Sequence, residues 1–116
     1  AFSSRQCSAD LDVDSDADPV ATGAEIWVFP GSRQSMMLAA CIEKYVPKFA
    51  SAWRGSKESP TLAVLRNTAM AAALVEVGFV DDPSFSSKPP IEEIAYALSQ
   101  GVGDFLRGVT YAGQPI

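Results

Sequence analysis

The 116-residue sequence contains no histidine and only two cysteines. The absence of histidine excludes a Cys–His nucleophilic pair, because a catalytic thiol of that kind needs an adjacent imidazole as its base. The two cysteines, Cys7 and Cys41, permit one disulfide but do not require it. Since Cys41 lies in an apolar helical stretch, we interpret it as a buried thiol that packs like a small hydrophobic residue.

Clustered basic residues and long apolar runs are also missing. Nine lysines and arginines face 14 aspartates and glutamates, which gives a net charge of −5. We therefore expect no nucleic-acid partner, because phosphate recognition requires a basic patch. No apolar run approaches the ~20 residues of a membrane-spanning helix. The remaining composition, 47% hydrophobic and 20% charged, predicts a single packed domain over 1–116.

Three segments divide this domain. An acidic N-terminal segment covers 1–22, with an aspartate at every second position from Asp10 to Asp18, and it reads as an edge strand or a loop. The core covers 23–108, and 109–116 form a tail. Because the chain begins at Ala1 rather than methionine, we expect that upstream sequence has been removed and that no signal peptide is left to interpret.

The apolar pattern of the core predicts an α/β fold with a mainly parallel sheet flanked by helices. Residues 24–29 read as a strand, and Ser32 caps a helix that runs to about Trp53 with an interruption at Pro47. A polar connection over 54–60 leads to two predicted buried parallel strands, at 62–66 and 72–77. A last helix follows Pro90, and its apolar stripe contains Ile91, Ile94, Ala95, Leu98, Val102 and Phe105.

Five short blocks stand in a defined order along the core. They are Gly23-Ala24-Glu25-Ile26-Trp27, Ser35-Met36-Met37-Leu38-Ala39, Arg54-Gly55-Ser56-Lys57, Val64-Leu65-Arg66-Asn67-Thr68 and Leu74-Val75-Glu76-Val77-Gly78-Phe79. In sequence and order they resemble the zinc-dependent N-acetylmuramoyl-L-alanine amidases, which cut peptidoglycan between muramic acid and L-alanine. The resemblance covers about 9–108 and corresponds to the C-terminal half of the catalytic domain.

This resemblance implies a site and a location. In such amidases a glutamate assists a zinc-bound water, and by resemblance Glu76 is that catalytic residue. Arg54 and Arg66 match family arginines and are candidates for substrate binding through bidentate contacts, with a structural ion pair or a solvated charge as the alternative. The implied location is the cell envelope, periplasmic or extracellular, and the implied source is bacterial or phage.

The sequence departs from the family at the metal ligands. The first two, a histidine and a helical glutamate, would lie upstream of Ala1. The third should be a histidine, but one alignment places Asp12 there with Asp14 at a following asparagine, and another deletes the ligand altogether. We therefore expect a truncated or degenerate amidase-like domain that is not catalytic as this chain alone and has no cofactor. Zinc enters only in the alternative of an active amidase whose ligands come from another segment or chain.

A second alternative is a calcium-dependent binding module. Asp14, Asp16, Asp18 and Glu25 occupy positions one, three, five and twelve of a calcium loop, although Pro19 stands where that loop needs glycine. The partner expected for the leading interpretation is peptidoglycan or a cell-envelope protein. Because a truncated sheet exposes a strand edge and an apolar face, we also hypothesise a homodimer.

Overall fold

The computed structural model describes residues 22–108 and, as a backbone trace, residues 7–14. Four strands and four helices make up this part of the chain: β1 (Cys7–Asp14), β2 (Ala24–Val28), α1 (Arg33–Glu43), β3 (Trp53–Glu58), α2 (Ala63–Arg66), β4 (Ala71–Phe79), α3 (Pro83–Ser86) and α4 (Ile91–Leu106). A short 3₁₀ turn, Val46–Lys48, follows α1. No helix among the described residues is both long enough and apolar enough to span a bilayer.

The strands form one sheet in the order β1-β4-β2-β3. The pairs β1–β4 and β2–β3 are parallel, and β2–β4 is antiparallel. The predicted mainly parallel sheet is therefore confirmed, and 7–14 supply an edge strand. β4 lies inside the sheet with all nine residues buried, as the apolar run at 72–77 predicted. Leu74 and Val75 are central in this strand, with Glu76 toward its carboxyl end.

The two faces of the sheet carry different layers. Helices α1 and α4 cover one face, which we call the α1/α4 face, and there Ile26, Val75, Leu38, Ile42 and Phe105 belong to the main core. Side chains alternate along a strand, so the neighbours of Val75 point to the opposite side. On that side, the α2 face, a smaller cluster joins Leu65 of α2 to strand and loop residues: Ala72, Leu74, Trp27, Phe29 and Leu62.

Helix α1 begins as expected and ends earlier than expected. The Ser32 hydroxyl accepts a hydrogen bond from the Ser35 backbone N–H at 3.3 Å, which satisfies a free donor of the first turn. The helix ends at Glu43, and Pro47 lies in the 3₁₀ turn, so the predicted interruption is confirmed but the continuation to Trp53 is wrong. Trp53 opens β3 instead and still packs against the main core.

Two other sequence predictions are wrong for physical reasons. Residues 62–66 form a helical turn rather than a buried strand, because their spacing of three lets Leu62 and Leu65 face the same cluster. The supposed polar connection at 54–60 contains the edge strand β3. Its residues alternate between half-buried and exposed, and pairing with β2 gives them strand geometry that their own composition does not favour.

Helix α4 packs on the sheet through one stripe. Ile94, Ala97, Gly101 and Phe105 are buried, as predicted for the first and last of them, whereas Ile91 and Ala95 are exposed, contrary to expectation. Buried Asp104 links α4 to the end of α1. Its carboxylate accepts hydrogen bonds from the Tyr45 hydroxyl at 2.5 Å and from Arg107 at 2.6 Å, and it pairs with Lys44 at 2.5 Å.

The core of the α1/α4 face also contains Cys41. This thiol is fully buried within α1 and belongs to the main core cluster, so its interpretation as a small packing residue is confirmed. Cys7 lies in β1, for which the backbone alone is described. The 109–116 tail falls outside the described residues.

Gly101 provides a test of the α1–α4 packing. A Cβ at this position would lie 2.6 Å from the Ile42 Cα, so the two helices would have to separate. We expect Gly101→Ala to destabilise the protein by about 1–2 kcal/mol in urea unfolding, because overpacking outweighs the gain in helix propensity.

Gly103→Ala is the matched control. Its added Cβ would meet only the end of the Arg107 side chain, at 3.0 Å, and that flexible group can move. We expect this variant to unfold at equal or higher urea concentration than the wild type. Equal losses in both variants would contradict a tight helix crossing at Gly101.

Candidate functional site

Two glutamates face each other in the middle of the sheet. Glu25 of β2 and Glu76 of β4 are direct partners in the antiparallel register. Both belong to the α2 face, since Glu76 lies two residues after Leu74 in β4 and residues two apart in a strand share a face. Only 5% of Glu25 and 8% of Glu76 is exposed. Two carboxyl groups at such positions are costly to bury unless a counter-charge and a shared proton stabilise them.

Strand β3 supplies the counter-charge. Lys57 forms an ion pair with Oε2 of Glu25, and the Nε atom of Arg54 lies 3.5 Å from the same oxygen. The indole N–H of Trp27 donates to the other oxygen of Glu25 at 3.3 Å. Glu25 is therefore the centre of the cluster, with contacts to three strands.

An irregularity in β3 allows both cations to reach Glu25. In a regular strand, residues three positions apart point to opposite faces. The β2–β3 register shifts between Ala24 and Ile26, and Gly55 has φ of 97°. Such a bulge at a glycine resets the alternation, so Arg54 and Lys57 both approach the α2 face. The Arg54 guanidinium also stacks 4.9 Å from the centre of the Phe79 ring.

These contacts determine the charge of Glu25. Burial alone raises the pKa of this carboxyl group, but hydrogen bonds from Glu76, Lys57 and Trp27, together with the charge of Lys57, outweigh burial and lower the pKa to about 2. Glu25 is therefore the ionised member of the facing pair of carboxyl groups.

The candidate residues proposed from the sequence do not all meet in this cluster. Glu76 and Arg54 belong to it. Arg66 is exposed at the end of α2, on the same face, and makes no ion pair within the described part of the chain. The backbone of Asp12 in β1 is the parallel register partner of Glu76. On the alignment that puts Asp12 at the missing histidine, that position lies beside the candidate catalytic residue.

The residues of the calcium alternative are distributed differently. Asp14 ends β1 as the register partner of Phe79, and Glu25 is engaged with Lys57. Asp16 and Asp18 lie outside the described residues. Calcium binding therefore stays a prediction on this sequence spacing, and the described geometry adds no support to it.

The donor set near Glu76 does not fit a zinc ion. Zinc sites use three or four ligands drawn from histidine, cysteine and carboxylate side chains. The sequence has no histidine, and within the described residues no three histidine, cysteine, aspartate or glutamate side chains converge. The carboxylate of Glu25, which faces Glu76 across the sheet, is already neutralised by Lys57. No step through a bound metal follows from these residues.

Lys57 and Trp27 are the site residues that sequence reasoning did not single out. Both stand in the blocks quoted above, but nothing in their spacing links them to Glu25. Their contact depends on the pairing of β2 with β3 and on the bulge at Gly55. The one local signal in the sequence that would have indicated this contact is a glycine between two cationic residues of a strand, since such a glycine can mark a bulge.

A mixed sheet with α1 and α4 on one face, and with the short helix α2 and a buried carboxyl pair on the other, defines an α/β domain. The family of this domain follows from its sequence. The chain belongs to the N-acetylmuramoyl-L-alanine amidase family, whose sequence model matches residues 10–102. No curated protein sequence matches the chain.

Solved structures give the same fold. An N-acetylmuramoyl-L-alanine amidase from Clostridium difficile 630 is 27% identical with a TM-score of 0.80, over 90% of this chain and 60% of that one. The CwlD amidase from Clostridioides difficile, in complex with the GerS lipoprotein, is 18% identical with a TM-score of 0.80, over 90% and 56%. Ami1, an N-acetylmuramyl-L-alanine amidase from Mycobacterium smegmatis, is 20% identical with a TM-score of 0.75, over 87% of this chain and 54% of that one. The chain thus spans little more than half the length of these structures.

The Glu25 cluster makes a prediction about acid stability. A carboxylate with a lowered folded-state pKa stabilises the protein above its ordinary pKa of 4.5, and this contribution is lost as the pH falls toward 2. We expect Glu25→Gln to cost about 1–3 kcal/mol near neutral pH. The difference between wild type and variant in urea unfolding should shrink below about pH 4.5.

Glu58→Gln serves as the control for this measurement. Glu58 is exposed at the end of the same edge strand and makes no ion pair with a described residue. We expect its removal to change stability by less than about 0.5 kcal/mol at any pH. A Glu25→Gln loss that is independent of pH would show that the carboxylate is not held ionised by its neighbours.

Proposed function

We propose that this chain is a truncated or degenerate amidase domain that binds peptidoglycan in the cell envelope and does not cleave it alone. The observation that carries the proposal is the pairing of β1 with β4. Glu76 is retained in its buried strand, but its register partner is Asp12, where one of the two alignments with the family expects an imidazole. A site that keeps its carboxyl group and lacks its metal ligand favours recognition over catalysis.

The chemistry available at the α2 face supports a binding role. Glu76 is 8% exposed and faces the ionised Glu25 across the sheet, which leaves it little access to a substrate. Arg66 is exposed on the same side of the sheet and has no ion-pair partner within 22–108. A guanidinium in that setting can bind the carboxylates of a peptidoglycan stem peptide in a bidentate manner.

Family membership supports one alternative, an active zinc amidase completed by another segment or chain. In it, Glu76 would be the catalytic residue and zinc would be held by ligands this chain does not supply. Among partners, a cell-envelope protein is the second candidate after peptidoglycan, because the similar CwlD amidase is seen in complex with a lipoprotein. Homodimer formation stays a prediction for sedimentation analysis.

The main test uses insoluble purified peptidoglycan. We expect the chain to co-sediment with it and to release no L-alanine-linked peptide, with or without added zinc, because it lacks three ligands for the metal. Chromatography of the supernatant measures the release. Zinc-dependent release that Glu76→Gln abolishes would replace the binding function with the active alternative, and absence of co-sedimentation would reject peptidoglycan as the partner.

Arginine variants locate the binding surface. We expect Arg66→Gln to weaken co-sedimentation by about tenfold without changing the urea midpoint, since a lost bidentate contact costs about 1.4 kcal/mol or more. Arg33→Gln is the matched control, because Arg33 is exposed on α1 at the opposite face. Equal weakening in both variants would mean that net charge, rather than the α2 face, determines binding.

A further inference from the structure

A concave site lies away from the Glu25 cluster. A cavity of about 230 Å³ opens where the carboxyl end of β4 meets the loop after the 3₁₀ turn and the segment around α3. Its apolar wall includes Phe49, Val77 and Phe85, which all pack against the main core of the α1/α4 face. Neither Glu25 nor Glu76 lines it. The carboxyl ends of strands are where open α/β sheets commonly bind ligands.

Two glycines preserve this shape. A Cβ at Gly78 would lie 2.6 Å from the Phe85 ring, so Phe85 can rest on β4 only because the strand has no side chain there. Gly23, at the adjacent start of β2, has φ of 93°, and a Cβ would lie 2.5 Å from the Ala52 carbonyl oxygen. The backbone is therefore built so that aromatic groups surround a space instead of filling it.

The cavity is lined by the buried carboxylate of Asp82, of which one oxygen atom accepts hydrogen bonds. Asp82 is 8% exposed. The backbone N–H of Ser84, at 3.0 Å, and the Ser84 hydroxyl, at 2.6 Å, both donate to its Oδ1 atom. Within the described residues no donor reaches Oδ2 and no cation pairs with the group. A buried carboxylate with a free oxygen beside a cavity is an acceptor for a charged donor from outside.

The rim of the same cavity carries the opposite charge. Lys88 lines the cavity and is exposed, and it forms no ion pair with Asp82 or with any other described acid. Asp82 and Lys88 carry opposite charges on one small cavity and do not pair with each other. A ligand that has both a positive and a negative group can therefore bind between them. The volume lies below the roughly 300–1,000 Å³ of sites for drug-sized molecules, which excludes a large ligand.

From this combination we infer that the cavity binds a small zwitterionic amino acid with an apolar side chain. Its ammonium group donates to Asp82, its carboxylate pairs with Lys88, and its side chain lies against Phe49 and Phe85. Asp82 orients the ammonium through a charge-assisted hydrogen bond, and the phenylalanine rings exclude water from the side chain. This inference does not depend on the peptidoglycan proposal, because it concerns the other face of the sheet.

Leucine, as both enantiomers, is the probe for calorimetry or for amide chemical-shift titration of the whole chain. We expect saturable binding with Kd at or below about 1 mM for at least one enantiomer, with shifts at Gly78 and Phe85. Leucinamide lacks the carboxylate and N-acetylleucine lacks the ammonium, so each should bind about tenfold more weakly. Equal binding of leucinamide would overturn the zwitterion assignment, and no saturation by either leucine would overturn the site.

Asp82→Asn is the decisive variant. Asparagine keeps the helix cap of α3, since it is as good an N-cap as aspartate, but it removes the charge. We expect leucine affinity to fall about tenfold while the urea midpoint is unchanged. Asp81→Asn is the matched control, because Asp81 is exposed and does not line the cavity. The same loss in both variants would attribute binding to general negative charge and reject the site.

Discussion

The ion pair between Lys57 and Glu25 is the interaction on which the α2 face depends. It lies between an edge strand and an interior strand, and it neutralises a carboxylate that is 5% exposed. If Lys57 were absent, Glu25 would lose its closest counter-charge within a largely apolar sheet, and burial would favour its neutral form. Because Lys57 is in place, Glu25 is ionised although it is buried beside Glu76.

The same arrangement constrains what the domain can do. A general base must be unprotonated and close to the group it deprotonates. Glu76 is 8% exposed and faces the ionised Glu25 across the sheet, so access of a substrate group to it is restricted among the described residues.

Much of the fold could be predicted from the sequence where local and tertiary preferences agree. The buried run of β4 and the capped start of α1 at Ser32 are set by composition and by a side-chain cap, so both predictions were correct. β3 could not be predicted, because Trp53–Glu58 has polar residues and takes its strand form from pairing with β2. The short helix α2 was missed because a four-residue turn gives too little periodicity to distinguish it from a strand.

The candidate site was predictable in part for the same reason. Glu76 is a candidate because its block matches the family, whereas the sequence pattern indicates a role for Glu25, which faces it, only in the calcium alternative. Contacts across strands depend on the register of strand pairing, and the β2–β3 register depends on the bulge at Gly55. The spacing of residues in the sequence does not reveal that bulge. The carboxyl pair is thus a property of three strands together. A family resemblance can transfer the position of one residue, whereas the charge state of that residue has to be derived from the neighbours that this sheet brings to it.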